Sequence, residues 1–329
     1  LYTRIWRNIC FPDDACIWYL PARRKTLALL ASEPFDVLIT VALPFTDHLV
    51  GLAAKRRYPG LRWIADTGDP FSIQDMSLNN KLLYGRLSRR LERLVLGRAD
   101  VLAVTTDATA DKYRQAFGPS VGNLTVIPPL LHPAPLPLEH RADVETGLLK
   151  LAYFGAMYRP LRTPEALLEL IRSTIQARPD LASRLELHFY GEIFPEFYDM
   201  LQVEPWVRLH GLQSRETVRR AMQESDILVS IGNTSDFQLP SKSVEYLASG
   251  KRVLHLSYTE RDCFVEFWGD AAGLYVVDVI EGKVRLNNRS EWLNWITQAA
   301  FFKAPDDMEA RLHPFLVNSI GKAYERWFI

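Results

Sequence analysis

Two segments in the C-terminal half of the chain combine residue types that bind anions. Residues 236–250, DFQLPSKSVEYLASG, follow a β-branched run that ends at Ile231. Pro240 suits the first turn of a helix, where the N–H that proline lacks has no intrahelical partner anyway. Ser241 and Lys242 then place backbone N–H groups at a positive helix end, where a diphosphate can bind. Glu245 lies four residues after Ser241 on the same helix face, and its carboxylate can accept hydrogen bonds from two ribose hydroxyls. The plainer reading of these residues is an ordinary helix start with an acid in its first turn. The second segment, 154–164, reads FGAMYRPLRTP. Gly155 permits close backbone approach, and Arg159 and Arg162 carry forked donors that match phosphate oxygens. Taken alone this is also a solvated basic loop. Both segments, however, sit at strand C-terminal ends, the edge at which open α/β sheets bind ligands. A third set lies in the N-terminal half. Asp66 and Asp69 stand near the end of a strand, and His48 lies one helical turn into the segment that follows Pro44. Paired carboxylates can position a ligand hydroxyl, and His48 can hydrogen-bond another, such as one on a sugar. Gly68-Asp69-Pro70 also fits an Asx turn.

The elements that must position these residues are short aliphatic runs alternating with helical patterns, the mark of parallel βα units. In the first half the runs 36–41, 61–65, 100–104 and 124–127 read as strands, with a helix over 80–97. Four strands are few for a complete doubly wound domain. Residues 128–137 carry five prolines and read as an extended linker, since proline removes a donor and disfavours helix before it. Alternation restarts at 150–154, 185–190, 207–209, 226–231, 252–256 and 274–277, which predicts a second sheet of six parallel strands. Apolar residues at helical spacing over 307–328 predict one long amphipathic helix.

Bulk properties remove several function classes. With 48% hydrophobic and 24% charged residues, the composition of the 329-residue chain is that of a globular protein long enough for two α/β domains. Lys+Arg and Asp+Glu both number 39, so no overall cationic field favours nucleic acid. Cys10, Cys16 and Cys263 have neither disulfide-framework nor zinc-ligand spacing, which points to a reducing, cytoplasmic compartment. No run approaches the length of a membrane-spanning helix, so any membrane contact is expected to be peripheral. Neither half shows a DxD loop after a strand or a His/carboxylate cluster, and no metal or cofactor is expected.

The runs YFGAMYRPLRTPEALLEL, LHFYGE, VRLHGLQSRE, DILVSIGN and LPSKSVEYLASGKRVL resemble the donor domain of retaining GT-B glycosyltransferases of the glycogen-synthase-like family 4. Residues 37–71, with Trp63-Ile64-Ala65-Asp66-Thr67-Gly68-Asp69-Pro70, resemble that family's envelope-polysaccharide branch. The resemblance implies two Rossmann-like doubly wound domains facing a cleft, the N-terminal one incomplete. The acceptor side would span 1–130, with 306–329 crossing back to it as a C-terminal helix. A linker would span 131–149 and the donor-binding domain 150–305. A nucleotide-sugar donor, a glycan or lipid-linked acceptor, retention of configuration and independence of metal are also implied, as is a cytoplasmic enzyme peripheral at the inner membrane face. Glu245 matches the second glutamate of the family's paired motif, which holds the donor ribose, but Phe237 stands where the first would be. Arg162 matches the basic residue after the glycine loop, and Gly211 falls where the backbone approaches the base. His210 beside it reads as a packed side chain. The family's glycine-rich loop after its first strand has no match here. Competing readings are a nucleotide-sugar epimerase on the same fold and a non-catalytic nucleotide-sugar-binding protein.

Overall fold

The computed structural model describes residues 9–74, 79–131, 147–159, 162–299, 302, 304 and 306–328. The chain divides into two compact units, Leu1–Leu130 with Pro314–Ile329, and Leu131–His313. Most of the stretch read as a linker, 131–149, lies outside the described residues.

In the first unit, β1 (Val37–Ala42), β2 (Arg62–Thr67), β3 (Val101–Val104) and β4 (Asn123–Val126) form a parallel sheet in the order β1-β2-β3-β4. β3 is buried at every position, as a strand covered on both faces must be. α1 (Tyr19–Ser32) precedes the sheet, and α2 (Thr46–Arg57), α3 (Lys81–Leu96) and α4 (Asp107–Phe117) connect its strands. Right-handed crossovers between strands taken in sequence order leave those three connecting helices on one face. There Phe45, Leu52, Trp63, Val95, Leu102 and Tyr113 share a core. The opposite face of Ile64, Val101, Ala103 and Ile127 is covered by Ile320, Ala323, Tyr324 and Trp327 from the chain's end. That end is not the single helix expected over 307–328. It breaks into α11 (Met308–Leu312), a 3₁₀ turn at His313–Phe315 and α12 (Val317–Glu325), because Pro314 can neither donate to nor continue a helix.

The second unit is one seven-stranded sheet in the order β11-β10-β9-β8-β5-β6-β7. Its strands are β5 (Leu149–Phe154), β6 (Leu185–Tyr190), β7 (Val207–Gly211), β8 (Ile227–Ile231), β9 (Arg252–Ser257), β10 (Leu274–Ile280) and β11 (Lys283–Arg285). Six are parallel, as the sequence predicts. The seventh, β11, returns antiparallel to β10. Its two-residue turn, Glu281 at φ 51 and Gly282 at φ 75, has the left-handed pair that suits a tight hairpin. The sequence reading missed this turn because Glu-Gly is not among the usual hairpin pairs. α5 (Glu165–Ala177) buries Leu167, Leu168, Leu170 and Ile171 against the sheet. The remaining helices are α6 (Tyr198–Gln202), α7 (Arg215–Glu224), α8 (Ser243–Ala248), α9 (Cys263–Trp268) and α10 (Arg289–Thr297).

Candidate functional site

Strand order reverses between β5 and β8: β6 and β7 are added on one side of this pair, β9 and β10 on the other. The loops leaving β5 and β8 therefore diverge, and a crevice must open beyond their C-terminal ends. The structure has a pocket there. Phe154 and Gly155 line it from β5, Ser230 and Ile231 from β8, and Arg162, Ser241 and Lys242 from the loops that follow. Two separate sequence segments thus meet in one crevice, which brings together four of the residues singled out above: Gly155, Arg162, Ser241 and Lys242.

Each wall has a local cause. Gly155 N–H donates to Tyr190 O at 2.9 Å and Met157 N–H to Glu192 O at 2.8 Å, which continues the β5–β6 pairing into the loop. Gly191 makes this possible: its φ is 143°, and a Cβ there would lie 2.1 Å from Gly155 O. Tyr158 and Arg162 exchange both backbone hydrogen bonds, at 2.9 and 3.0 Å, so the loop doubles back and returns Arg162 to the pocket. The Arg162 Nε is buried with no hydrogen-bond partner among the described residues. An unpaired guanidinium N–H at the mouth of a sheet suits an anion. On the other wall, Pro240 O accepts from Ser243 N at 3.0 Å and Ser243 Oγ at 2.6 Å, forming the turn that carries Ser241 and Lys242. Helix α8 starts only at Ser243 with Lys242 as its N-cap, so Pro240 and Ser241 belong to the turn before the helix and not to its first turn. This corrects the expectation of a longer helix.

The remaining donor-side candidates stand differently. Glu245 faces Lys242, its Oε2 3.3 Å from Nζ, and does not line the pocket. Arg159 is ion-paired with Glu165 and, at 3.5 Å, with Glu196, and lies over the Phe197 ring. Its charge is therefore engaged outside the pocket. Gly211 has φ 66° at the end of β7 and open space around its Cα, while Gly191 N–H donates to its carbonyl at 2.9 Å. His210 is packed as expected, stacked on Tyr190 at 4.1 Å and bonded to His188 at 2.9 Å.

The pocket also holds residues that the sequence reading did not single out. Ser230 at its floor lies 2.9 Å from His255 Nδ1, and His255 Nε2 lies 2.9 Å from Asp262 Oδ2. Burial would raise the Asp262 carboxyl, but hydrogen bonds from His255, Ser257 and the Phe264 N–H hold it below its ordinary value. Phe264, stacked on His255 at 4.4 Å, forms the adjacent wall. Ser230 and His255 are register partners on β8 and β9, which only the strand pairing reveals.

In the first unit, the expectation that His48 reaches a sugar is corrected. His48 is 1% exposed. Its Nδ1 lies 2.8 Å from Thr40 Oγ1 and its Nε2 3.2 Å from Thr67 Oγ1, and burial lowers its pKa to about 3. It is a neutral core residue tying β1 to β2. Asp66 is raised by burial and accepts a hydrogen bond from Tyr324 of α12. Asp69, two residues past the end of β2, is exposed. Among the described residues no three His, Cys, Asp or Glu side chains cluster as a metal site, and no helix is long and apolar enough to cross a membrane.

The fold is that of known enzymes. The chain superposes on a sucrose-phosphate synthase from Thermosynechococcus elongatus (TM-score 0.65, 13% identity), covering 95% of this chain and 79% of that one. A glycosyltransferase from Rickettsia africae matches with TM-score 0.62 and 13% identity over 97% and 83% of the two chains. Anabaena HepE, crystallised with UDP-glucose, matches with TM-score 0.59 and 13% identity over 92% and 80%. No curated protein sequence matches the chain. Residues 12–129 match the model of the glycosyl transferase 4-like domain. The first unit thus carries a glycosyl transferase 4-like domain, and the two α/β sheets have the GT-B architecture of these structures.

Proposed function

We propose that the chain moves a sugar from a nucleotide-diphosphate donor, seated at the β5/β8 crevice, to a glycan or lipid-linked acceptor in cell-envelope or exopolysaccharide synthesis. The observation that carries this reading is the unpaired Arg162 Nε in a crevice whose opposite wall is the Ser241–Lys242 turn. Negative charge grows on the diphosphate as the glycosidic bond breaks, and a preorganised guanidinium stabilises it without having to reorganise. Gly155 lets the backbone approach the phosphates, and Lys242 is within reach of them. Glu245 receives the ribose hydroxyls and Gly211 faces the base. Asp66 and Asp69 stand on the acceptor side, Asp66 held in place by Tyr324. Arg159 and His48 have no part in this assignment, because their polar atoms are engaged elsewhere. The UDP-glucose bound to HepE supports a nucleotide sugar as the donor class. Retention of configuration, independence of divalent metal and work at the cytoplasmic face of a membrane complete the proposal and rest on the sequence resemblance.

Calorimetric titration with UDP, GDP and ADP, followed by turnover assays with the matching nucleotide sugar, tests it. The expected result is affinity for one of these diphosphates, unchanged by chelator, and fast nucleotide release only when a membrane glycolipid fraction is added. Conversion of the nucleotide sugar to its epimer without acceptor would make the chain an epimerase. Affinity without turnover would make it a binding protein.

A further inference from the structure

The crevice has a polar floor that the donor-site assignment leaves unused. Ser230 of β8 lines it, and two buried groups stand in line behind: His255 Nδ1 at 2.9 Å from Ser230 Oγ, then Asp262 Oδ2 at 2.9 Å from His255 Nε2. Counting donors fixes most of the protons in this chain. Asp262, whose carboxyl stays below its ordinary value despite burial, accepts from Ser257 Oγ at 2.8 Å and from the N–H groups of Phe264 and Val265 at 2.8 and 3.4 Å. An ionised carboxylate only accepts, so the proton of the Nε2 contact belongs to His255. The ring cannot swing away. It is 0% exposed, Phe264 stacks on it at 4.4 Å, and a Cβ on Gly232 would lie 3.3 Å from its Cε1.

Only the proton on Nδ1 can then come and go. Without it, Ser230 O–H donates to Nδ1 and turns its lone pairs toward the crevice, where they repel a phosphate oxygen. With it, Nδ1–H donates to Ser230 Oγ, and the hydroxyl proton points into the crevice as a donor. The charges around the crevice choose between these states. Arg162 and Lys242 line the same pocket, and while it is empty their positive field opposes a further cation on the imidazole. A bound diphosphate reverses the sign of that field, and Asp262 then supports the imidazolium from behind. The phenols of Tyr153 and Tyr246 also line the pocket; burial raises both, and they stay neutral throughout.

We propose that Ser230 is a phosphate-binding residue of the donor site, turned from acceptor to donor by a proton that His255 takes up as the diphosphate binds. His255 and Asp262 are positioning residues: they set the direction of the Ser230 hydroxyl and touch no ligand. The proton comes from solvent by way of that hydroxyl and returns when the nucleotide leaves, and no bond to carbon or phosphorus changes. While bound, it keeps positive charge behind the phosphate on which negative charge grows during transfer. The inference rests on the reading of the crevice as a diphosphate site.

Calorimetry of the full chain with UDP, GDP and ADP tests it, run at about pH 8, above the second ionisation of a phosphate, in buffers of different ionisation enthalpy. The dependence of the measured heat on the buffer gives the number of protons taken up. Wild type should gain about one proton per nucleoside diphosphate, and its affinity should fall by up to about tenfold for each further pH unit. Ser230→Ala should bind roughly tenfold more weakly and take up almost none. Ser230→Thr keeps the hydroxyl and should restore both. Asp262→Asn can still cap α9 but carries no charge to support the imidazolium, so it should also bind without proton uptake. Circular dichroism shows that each variant is folded, and the wild-type arm needs no variant to refute the proposal. Binding to wild type without proton uptake, or uptake that persists in Ser230→Ala, overturns it and leaves the crevice a diphosphate site. Absence of binding by all three nucleotides overturns the donor-site reading, and this proposal with it.

Discussion

At the scale of single residues, the proposed donor site divides its work between a cation and a carboxylate, and the two should fail differently. A hydrogen bond to a charged group contributes on the order of 1.5–3 kcal/mol, so Arg162→Ala should weaken a nucleoside diphosphate such as UDP by roughly 10- to 150-fold. Uridine should bind as before. Glu245→Ala should weaken uridine and UDP by similar factors. It should leave pyrophosphate unchanged or slightly tighter, because Lys242, now 3.3 Å from Glu245, is freed toward the phosphates. Calorimetry with the three ligands checks both variants. Equal loss of uridine and UDP in Arg162→Ala, or silence of Glu245→Ala toward every ligand, would remove the phosphate and ribose assignments. The two arginines of 154–164 also show the limit of reading composition. Residue type and loop position recommend Arg159 and Arg162 equally. Only the paired backbone bonds between Tyr158 and Arg162 return one of them to the crevice, while Glu165 and Glu196 hold the other.

At the scale of elements, the loop after β5 depends on a glycine twenty-five or more residues away from most of what it shapes. Gly191 sits at φ 143° with its missing Cβ aimed at the Gly155 carbonyl, 2.1 Å from where that atom would be. Backbone on both sides cannot give way, so Gly191→Ala should destabilise the protein by roughly 2–4 kcal/mol and displace the Gly155 loop. Gly282 is the control, because its φ of 75° is also left-handed but its surroundings are open. Gly282→Ala should cost only about 1 kcal/mol. Denaturant midpoints for both variants, together with UDP affinity, are the measurement. A Gly191→Ala protein with wild-type stability and affinity would show that the loop does not depend on this close approach. Element type was legible in sequence because parallel strands buried on both faces are continuous aliphatic runs, as in DVLAV and DILVSI. The short strand β11 and the break at Pro314 were not, since three residues carry no period and a single proline within an amphipathic pattern was outweighed by the pattern around it.

At the scale of the whole molecule, His48 links pH to folding. Its pKa is about 3 in the folded chain against 6.5 when free, so between these values the unfolded chain holds more protons. Stability from this group is therefore complete above about pH 6.5 and falls as the pH is lowered toward 3, by at most about 1.4 kcal/mol per unit. Asp47 beside it acts in the other direction. Burial, then Asp13, raises it from 3.8 to about 6, so the folded chain holds more protons across that window and gains stability as the pH falls through it. Asp47 is far less buried than His48, and the histidine should dominate. Urea midpoints between pH 7 and pH 4 should drop more steeply for wild type than for His48→Gln. Parallel curves would show that His48 titrates alike in both states.

The sequence by itself determined the alternation of strands and helices, the restart of that alternation after the proline-rich stretch, and the two segments able to bind a diphosphate. All of these are local: periodicity, turn residues and charge type are written within a few neighbouring positions. Tertiary structure alone decided which of those residues meet. The crevice exists because strand order reverses between β5 and β8, which places positions 76 residues apart, such as Leu151 and Ile227, side by side. The Ser230–His255–Asp262 chain and the Phe264 wall arise from strand register and from the return of α9 onto the sheet, neither of which has a local signature. His48 looked chemical in sequence because histidine is a versatile residue. Burial between Thr40 and Thr67, set by how α2 packs on β1 and β2, made it structural.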